Sequence, residues 1–348
     1  MKILLTGDKG YIGTVMKSYL RNHGHEVTGL DSNYFQFCVF GDIDFKEMSE
    51  YHIPKDIRDV TLADLRGYDA VIHLASLSND LMGDFNHDLT MEINLYATLT
   101  LASKAKRAGV KKFIFASSCS VYGANDHVVD EDAPLNPVTT YARCKAEAEK
   151  GISALADENF SPTFMRNATV FGFSPRHRND LIVNTMTSHA YANGVIHING
   201  DGQLWRPLVS VKDVAKAFLL VLDADRSLVH NEVFNVGFDC GNYTVADVAK
   251  MVAERVKNVV VEYHPSNDTR NYRVKFEKIS KVFPDFSTPL MTVEQGVDEI
   301  VEIYKDNEAI HERNLTEDVL LGDKYVRILH LKHMLEIGSL DENLMWTR

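Results

Sequence analysis

The 348-residue chain holds only four cysteines, Cys38, Cys119, Cys144 and Cys240, and no two of them share a CxxC spacing. Neither a disulfide framework nor a cysteine-based zinc site is indicated, and reduced thiols in a cytoplasmic setting are expected. No apolar run approaches the roughly 20 residues of a membrane span. The first strand-like run starts within three residues of Met1, so no signal peptide is expected. Positive charge is scarce: 37 Lys and Arg stand against 49 Asp and Glu. The resulting net charge of −12 argues against nucleic acid or an anionic membrane surface as a partner. A phosphorylated small molecule is still admissible, because a few local arginines suffice to hold one. The 14 histidines include no HxxxH or HExxH pair that stands out, and no metal site is expected.

What is present begins at once. Residues 1–31 run from an apolar stretch, Ile3 to Leu5, into Gly7, Gly10 and Gly13, then a helical pattern through Met16, Tyr19 and Leu20, then an apolar run from Val27 to Leu30 that ends at Asp31. Strand, glycine turn, helix, strand and acid form the arrangement that holds a dinucleotide. The glycines permit a tight turn and close backbone approach to a pyrophosphate, and the helix N-terminus offers it free N–H groups. Asp31, 18 positions after Gly13, can accept hydrogen bonds from both adenosine ribose hydroxyls. A 2′-phosphate there would meet like charge, so NAD is favoured over NADP.

Strand-like runs then alternate with helical segments. Ala70–Leu74, Lys112–Ala116 and Phe164–Phe171 read as strands, with helices over roughly Leu89–Ala108 and from near Tyr141. That rhythm predicts an α/β fold with a Rossmann-type, doubly wound parallel sheet, whose ligands collect at the carboxyl ends of the strands. After residue 172 the pattern becomes a smaller mixed α/β lobe, with a helix whose N-cap region is Ser210–Asp213. The expected division is a NAD-binding core over 1–172, a mainly substrate-binding lobe over 173–314 with some segments returning to the first sheet, and a helical extension over 315–348. The extension contains YVRILHLKHML, an amphipathic helix that either packs on the core or contacts another subunit.

Two motifs at the ends of successive strands carry chemistry. One is ASSCSVYG (116–123); the other is YARCK, which places Tyr141 and Lys145 one turn apart on a single helix face. The Lys145 ammonium beside the phenol, together with an oxidised nicotinamide, favours the ionised form and makes Tyr141 usable as a base. Ser118 can hold the same substrate oxygen.

With these residues the chain resembles the extended short-chain dehydrogenases/reductases and, within them, the NAD-dependent epimerase/dehydratase family acting on nucleotide sugars. The likeness runs to about residue 305 through TGDKGYIG (6–13), Asp31, KDIRD (55–59), VIHLAS (71–76), the helix with Asn94, SSCSVYG, YARCK, RNATVFG (166–172) and RPLVSVKDVA (206–215). It implies that Gly7, Gly10, Tyr11, Ile12 and Gly13 cradle the pyrophosphate, that Asp31 holds the ribose and that Asp56 and Ile57 flank the adenine. Leu74 and Ala75 would line the path to the nicotinamide ribose, with Asn94, Ser117, Tyr141 and Lys145 completing the cofactor site. Ser118, Tyr141 and Lys145 would be catalytic. Ser78, Ser118, Asn167, Asn184, Arg206 and Arg270 would contact a nucleotide-diphosphate sugar, the two arginines at its diphosphate. The segment SLSNDLMGD (76–84) would form part of the sugar pocket, and a homodimer is the expected assembly.

Departures from the family pattern narrow the reaction. The 4,6-dehydratases carry Thr-Asp-Glu where this chain has Ser118, Cys119 and Ser120, so the acid pair that removes a hydroxyl is missing. The expected activity is epimerisation through a transient 4-keto sugar. The alternatives are a 4-ketoreductase or 4-dehydrogenase with net redox and the same trio, and a non-catalytic NAD-binding sensor.

Overall fold

The computed structural model describes residues 1–40, 51–78, 83, 85–312 and 314–347. The short β-rich runs in the first half become parallel strands because both of their faces are covered. β1 (Lys2–Thr6), α1 (Tyr11–Asn22), β2 (Glu26–Asp31), β3 (His52–Pro54), β4 (Ala70–His73), β5 (Lys112–Ser118), β7 (Ser161–Asn167) and β11 (Glu232–Val236) form the frame of the molecule. Its seven strands lie in the order β11-β7-β5-β4-β1-β2-β3. Alternate residues of one strand feed opposite cores. Ile3, Leu5, Ile72 and Ile114 face Met16, Leu20, Val214 and Phe218, whereas Leu4, Val71, Phe113 and Phe115 face Leu101, Ala105, Ala148 and Ile152. The strand order reverses between β1 and β4, which opens a crevice at their carboxyl ends.

Two helices supply the second face. α2 occupies residues 87–107 and opens into a wider π-helical turn over Glu92–Ala97. α3 (Thr140–Ser153) starts where the Thr139 hydroxyl accepts from the Ala142 N–H. The expected strand Phe164–Phe171 is in fact two. β7 ends at Asn167, the Ala168 N–H donates to the Val236 carbonyl, and β8 (Thr169–Phe171) pairs instead with β10 (Trp205–Ser210). The chain leaves the large sheet there to build the second lobe. That lobe packs α4 (Ile182–Asn193), β9 (Val195–Asn199), α6 (Val245–Arg255) and α7 (Val293–His311) around Val183, Ile196, Ile198, Val248 and Val297. Between them, α5 (Val211–Asp223), capped by the Ser210 hydroxyl accepting from Asp213 N–H, returns to α1 and the large sheet.

The amphipathic segment near the C-terminus is α8 (Arg327–Glu336). Its Leu331 and Met334, with Leu340 and Leu344, join the core beneath α2 and α3, so its apolar face covers this chain's own sheet. No helix among the described residues is long and apolar enough to cross a membrane.

One buried charge constrains the first turn. Asp8 is 2 % exposed, and its carboxylate takes the Lys17 ammonium at 3.0 Å and His52 Nδ1 at 3.0 Å. A Cβ on Gly29 would overlap that carboxylate, which its two partners hold in place. Gly29→Ala is therefore expected to destabilise the fold by about 2–4 kcal/mol, read from the midpoint and slope of urea unfolding.

Candidate active site

A cleft of about 700 Å³ runs along the carboxyl ends of the strands and into the second lobe. The glycine turn forms one wall. Gly7 has a φ of +76°, and a Cβ there would lie 2.8 Å from the Ala75 backbone nitrogen. A Cβ on Gly13 would overlap the Gly7 carbonyl, so both positions need glycine for the turn to close. α1 begins at Tyr11 with Gly10 as N-cap, no side-chain cap and no acid in its first turn, which leaves its amides available to an anion. Asp31 lies beside the turn and accepts from the Lys9 and Asn33 N–H groups at 3.1 and 2.8 Å. Burial, with the Asp8 charge nearby, raises its carboxyl above the usual range. Three residues of the cleft wall each carry a buried polar atom with no protein partner: Ser120 Oγ, Asn167 Oδ1 and Arg327 Nη1. A cradle that a Cβ would fill, a ribose-height acid and unpartnered polar atoms together fit a bound dinucleotide.

Among the cofactor residues expected from sequence, Gly7, Gly10, Tyr11, Ile12, Gly13, Asp31, Asp56, Ile57, Leu74, Ala75, Ser117, Tyr141 and Lys145 all line this cleft. Several do so in unexpected ways. The Tyr11 phenol turns away and donates to the Gly172 carbonyl at 2.6 Å, tying the glycine turn to the second lobe. The Asp56 carboxylate is held by Arg58 Nε and Nη2 at 3.0 and 2.9 Å and by the Tyr34 hydroxyl at 2.7 Å. The Ser117 hydroxyl donates to buried Glu149. Asn94 does not line the cleft. Its amide bonds the Leu77 N–H and carbonyl at 2.8 and 3.0 Å from within the π-helical turn, and so fixes the loop after β4 that does.

The catalytic candidates converge. Ser118 ends β5, and its Oγ accepts from the Ser120 N–H at 3.2 Å. Tyr141 and Lys145 project from α3, with the Lys145 ammonium 5.6 Å from the centre of the Tyr141 ring. Lys145 is 3 % exposed, donates to the Ala116 carbonyl at 2.8 Å and sits 4.7 Å over the Phe115 ring. Burial lowers its ammonium from 10.5 to about 8. Gly83 packs so closely on this helix that a Cβ would lie 2.8 Å from that of Tyr141. The rest of the segment expected in the sugar pocket, residues 79–82 and 84, lies outside the described residues.

In the second-lobe part of the cleft lie Arg206 and Arg270, whereas Asn167 lines it beside Ser118, its register partner across β5 and β7. The two arginines share one carboxylate, Asp268, at 2.9 and 2.7 Å, and they hold its acid at about 2 against the cost of burial. Ser78 lies in the cleft, and its hydroxyl and carbonyl accept from Arg178 Nη1 at 3.0 and 3.2 Å. Asn184 corrects the sequence reading. It is fully buried outside the cleft, where its amide bonds Gly172 N–H, Gly172 O and the Arg178 carbonyl, so it braces the wall instead of touching ligand. Sequence reasoning missed Arg178, Asp180, Asp268 and Arg327, all in the cleft wall. A basic cluster, PRHRND (175–180), just beyond a strand end was the available signal for the first two. Also unforeseen is a triad of half-buried His197 with exposed Glu262 and His264, whose ligand atoms lie within 4.8 Å of one another; two strands bring it together, so no linear spacing announces it.

The model of the NAD dependent epimerase/dehydratase family matches residues 3–237, and the chain belongs to that family. It is 29% identical over 277 residues to a UDP-glucose 4-epimerase of Corynebacterium glutamicum, covering 73% of this chain and 80% of that one. It is 28% identical over 330 residues to a dTDP-D-glucose 4,6-dehydratase of Mus musculus, covering 88% and 89%. The solved structure of MoeE5 in complex with UDP-glucuronic acid and NAD superposes with a TM-score of 0.76 at 27% identity, over 88% of this chain and 99% of that one. The protein is accordingly an NAD-dependent enzyme of the epimerase/dehydratase class.

The buried ammonium makes a pH prediction. Between about pH 8 and 10.5 the unfolded chain carries a proton on Lys145 that the folded chain has lost, so this group's contribution to stability rises with pH through that window. Wild type should gain on Lys145→Met by ~3 kcal/mol from pH 8 to 10.5, measured by paired denaturant titrations without ligand. A pH-independent difference would show that the lysine is not desolvated.

Proposed function

We propose that the enzyme is a nucleotide-sugar epimerase working through a transient 4-keto sugar. The observation that carries this reading is the convergence in one cleft of the glycine turn, the Ser118, Tyr141 and Lys145 set, and the Arg206–Asp268–Arg270 cluster. Bound NAD supplies the hydride acceptor and returns the hydride within one turnover. Tyr141, as phenolate, takes the proton from the sugar 4-hydroxyl and later gives it back. Lys145 favours the ionised phenol by its charge, and Ser118 holds the reacting oxygen. Arg206 and Arg270 bind the diphosphate, oriented for it by Asp268, while Ser78 and Asn167 contact the sugar. In this division residues 1–172 hold the cofactor, 173–314 hold mainly the substrate, and 315–348 extend the cofactor side.

Elimination of water is disfavoured at the same site. Cys119 and Ser120 stand where the family's 4,6-dehydratases carry their acids. Cys119 is buried, its Sγ donates to the Arg166 carbonyl at 3.1 Å, and burial pushes the thiol far up. That makes it a far weaker acid than a carboxyl for protonating a leaving hydroxyl.

The test is product analysis. The sugar nucleotide that raises the melting temperature most, screened across UDP, GDP, CDP and dTDP sugars, should return a product of unchanged mass and inverted C4. Loss of one water would establish a dehydratase, and a two-hydrogen change with stoichiometric NADH a net redox enzyme. Tyr141→Phe should abolish turnover while nucleotide-sugar affinity stays within about twofold.

Arg206→Ala and Arg270→Ala should each raise KM by about tenfold or more with a smaller effect on kcat. Unchanged KM in both would assign the pair to structural support of Asp268.

A further inference from the structure

The extension over 315–348 returns to the side of the cleft lined by Ser32, Tyr34 and Phe35. Tyr325 donates its hydroxyl to the Val39 carbonyl at 3.3 Å, His330 Nε2 bonds the Tyr34 carbonyl at 3.0 Å, and Trp346 Nε1 donates to the Ser32 carbonyl at 2.6 Å. Arg58 reaches the Asn343 carbonyl at 2.9 Å from the side of Asp56. These contacts hold residues 32–39 against the extension.

At the first residue of α8 stands Arg327, 2 % exposed and part of the cleft wall together with Gly10, Tyr11, Ile12, Tyr34 and Phe35. Its guanidinium lies 4.5 Å from the centre of the Phe35 ring, and Nη2 donates to the Arg176 carbonyl at 2.9 Å. Nη1 is buried and has no protein partner. No carboxylate ion-pairs with Arg327 among the described residues; burial lowers its guanidinium to about 10, while the Cys38 thiol and Asp180 favour its charge and Arg178 and Arg176 oppose it. A buried cation with an unpartnered donor is costly unless an anion completes it. α8 adds the positive end of a ten-residue helix with no acid in its first turn. The glycine turn, Gly7 to Gly13, lines the same cleft.

We propose that Arg327 binds the diphosphate of the dinucleotide cofactor together with the glycine turn, so that the C-terminal extension is a cofactor clamp. Phe35 and the Arg176 carbonyl fix the guanidinium plane, and Nη1 donates to a phosphate oxygen. The neighbours Tyr34 and Phe35 place it at the cofactor end of the cleft, away from Arg206 and Arg270. The clamp acts on cofactor retention whichever sugar reaction the site performs.

The test compares nucleotides with and without a diphosphate on protein stripped of NAD. Arg327→Met should weaken ADP-ribose and NAD by about tenfold or more by calorimetry, with adenosine and UDP within about twofold. Arg327→Lys should recover part of the loss. Equal losses for adenosine and ADP-ribose would show a merely structural residue, and a loss confined to UDP would move it to the substrate diphosphate; either result, or unchanged ADP-ribose affinity, overturns the proposal. Should the methionine variant fail to fold, hydrogen exchange on wild type decides. Residues 325–336 should gain protection with ADP-ribose and not with adenosine, and equal protection with both, or none, overturns it.

Discussion

A buried ion pair holds α3, the helix that carries the proposed Tyr141 and Lys145 pair, in place. Glu149 accepts from Arg166 Nη2 at 2.7 Å and Nε at 3.0 Å, with neither side chain more than a few per cent exposed. Glu149 lies one turn beyond Lys145 and two beyond Tyr141 on α3, while Arg166 sits on β7 beside β5. Arg166 Nη1 reaches the Tyr122 hydroxyl at 2.9 Å, and Tyr122 donates to Asn235 on β11 at 2.7 Å. One guanidinium thus joins helix, central strands and sheet edge. Losing one partner of such a pair strands a charge at about 3–5 kcal/mol. Ser118 ends β5 and Tyr141 starts α3, so their separation depends on this joint.

The parts of the molecule legible in sequence are those governed by near neighbours. The glycine turn, the acid at Asp31 and the Tyr141–Lys145 spacing each lie within a few turns of one element, and their geometry follows from helix and strand periodicity. The strands of the sheet were legible because both faces are buried and their runs are continuously apolar. The break at Ala168 was hidden, since FMRNATVF has the composition of one strand and only pairing with two different sheets divides it. Arg178, Asp268 and Arg327 were hidden for another reason. Arg178 and Asp268 have ion-pair partners two positions on, but each is also held by a residue the fold brings from elsewhere, as when Arg178 meets Ser78 across 100 residues and Asp268 meets Arg206 across 62. Asn184 and Asn94 show the converse: polar residues in suggestive positions whose amides the backbone already occupies.

The charge distribution acquires its sense only in three dimensions. A chain of net charge −12 directs Arg178, Arg206, Arg270 and Arg327 into one cleft. The acidic exterior repels polyanions, while low-dielectric walls strengthen the cationic field within. Asp268 and Asp180 temper that field, pairing with Arg206, Arg270 and Arg178 so that the guanidinium groups stand in fixed planes. The same carboxylates limit how much negative charge the cleft needs from a ligand.

The contact between His330 and Tyr34 spans 296 residues. During synthesis residues 32–40 leave the ribosome early and stay without their contacts to the C-terminal segment until α8 has followed. Over that interval the apolar side chains Phe35 and Phe40, destined for contacts with Arg327 and Tyr325, face solvent. The glycine turn is therefore synthesised well before the segment that supplies one of its walls, and closure of that end of the cleft waits on contacts of the highest sequence separation.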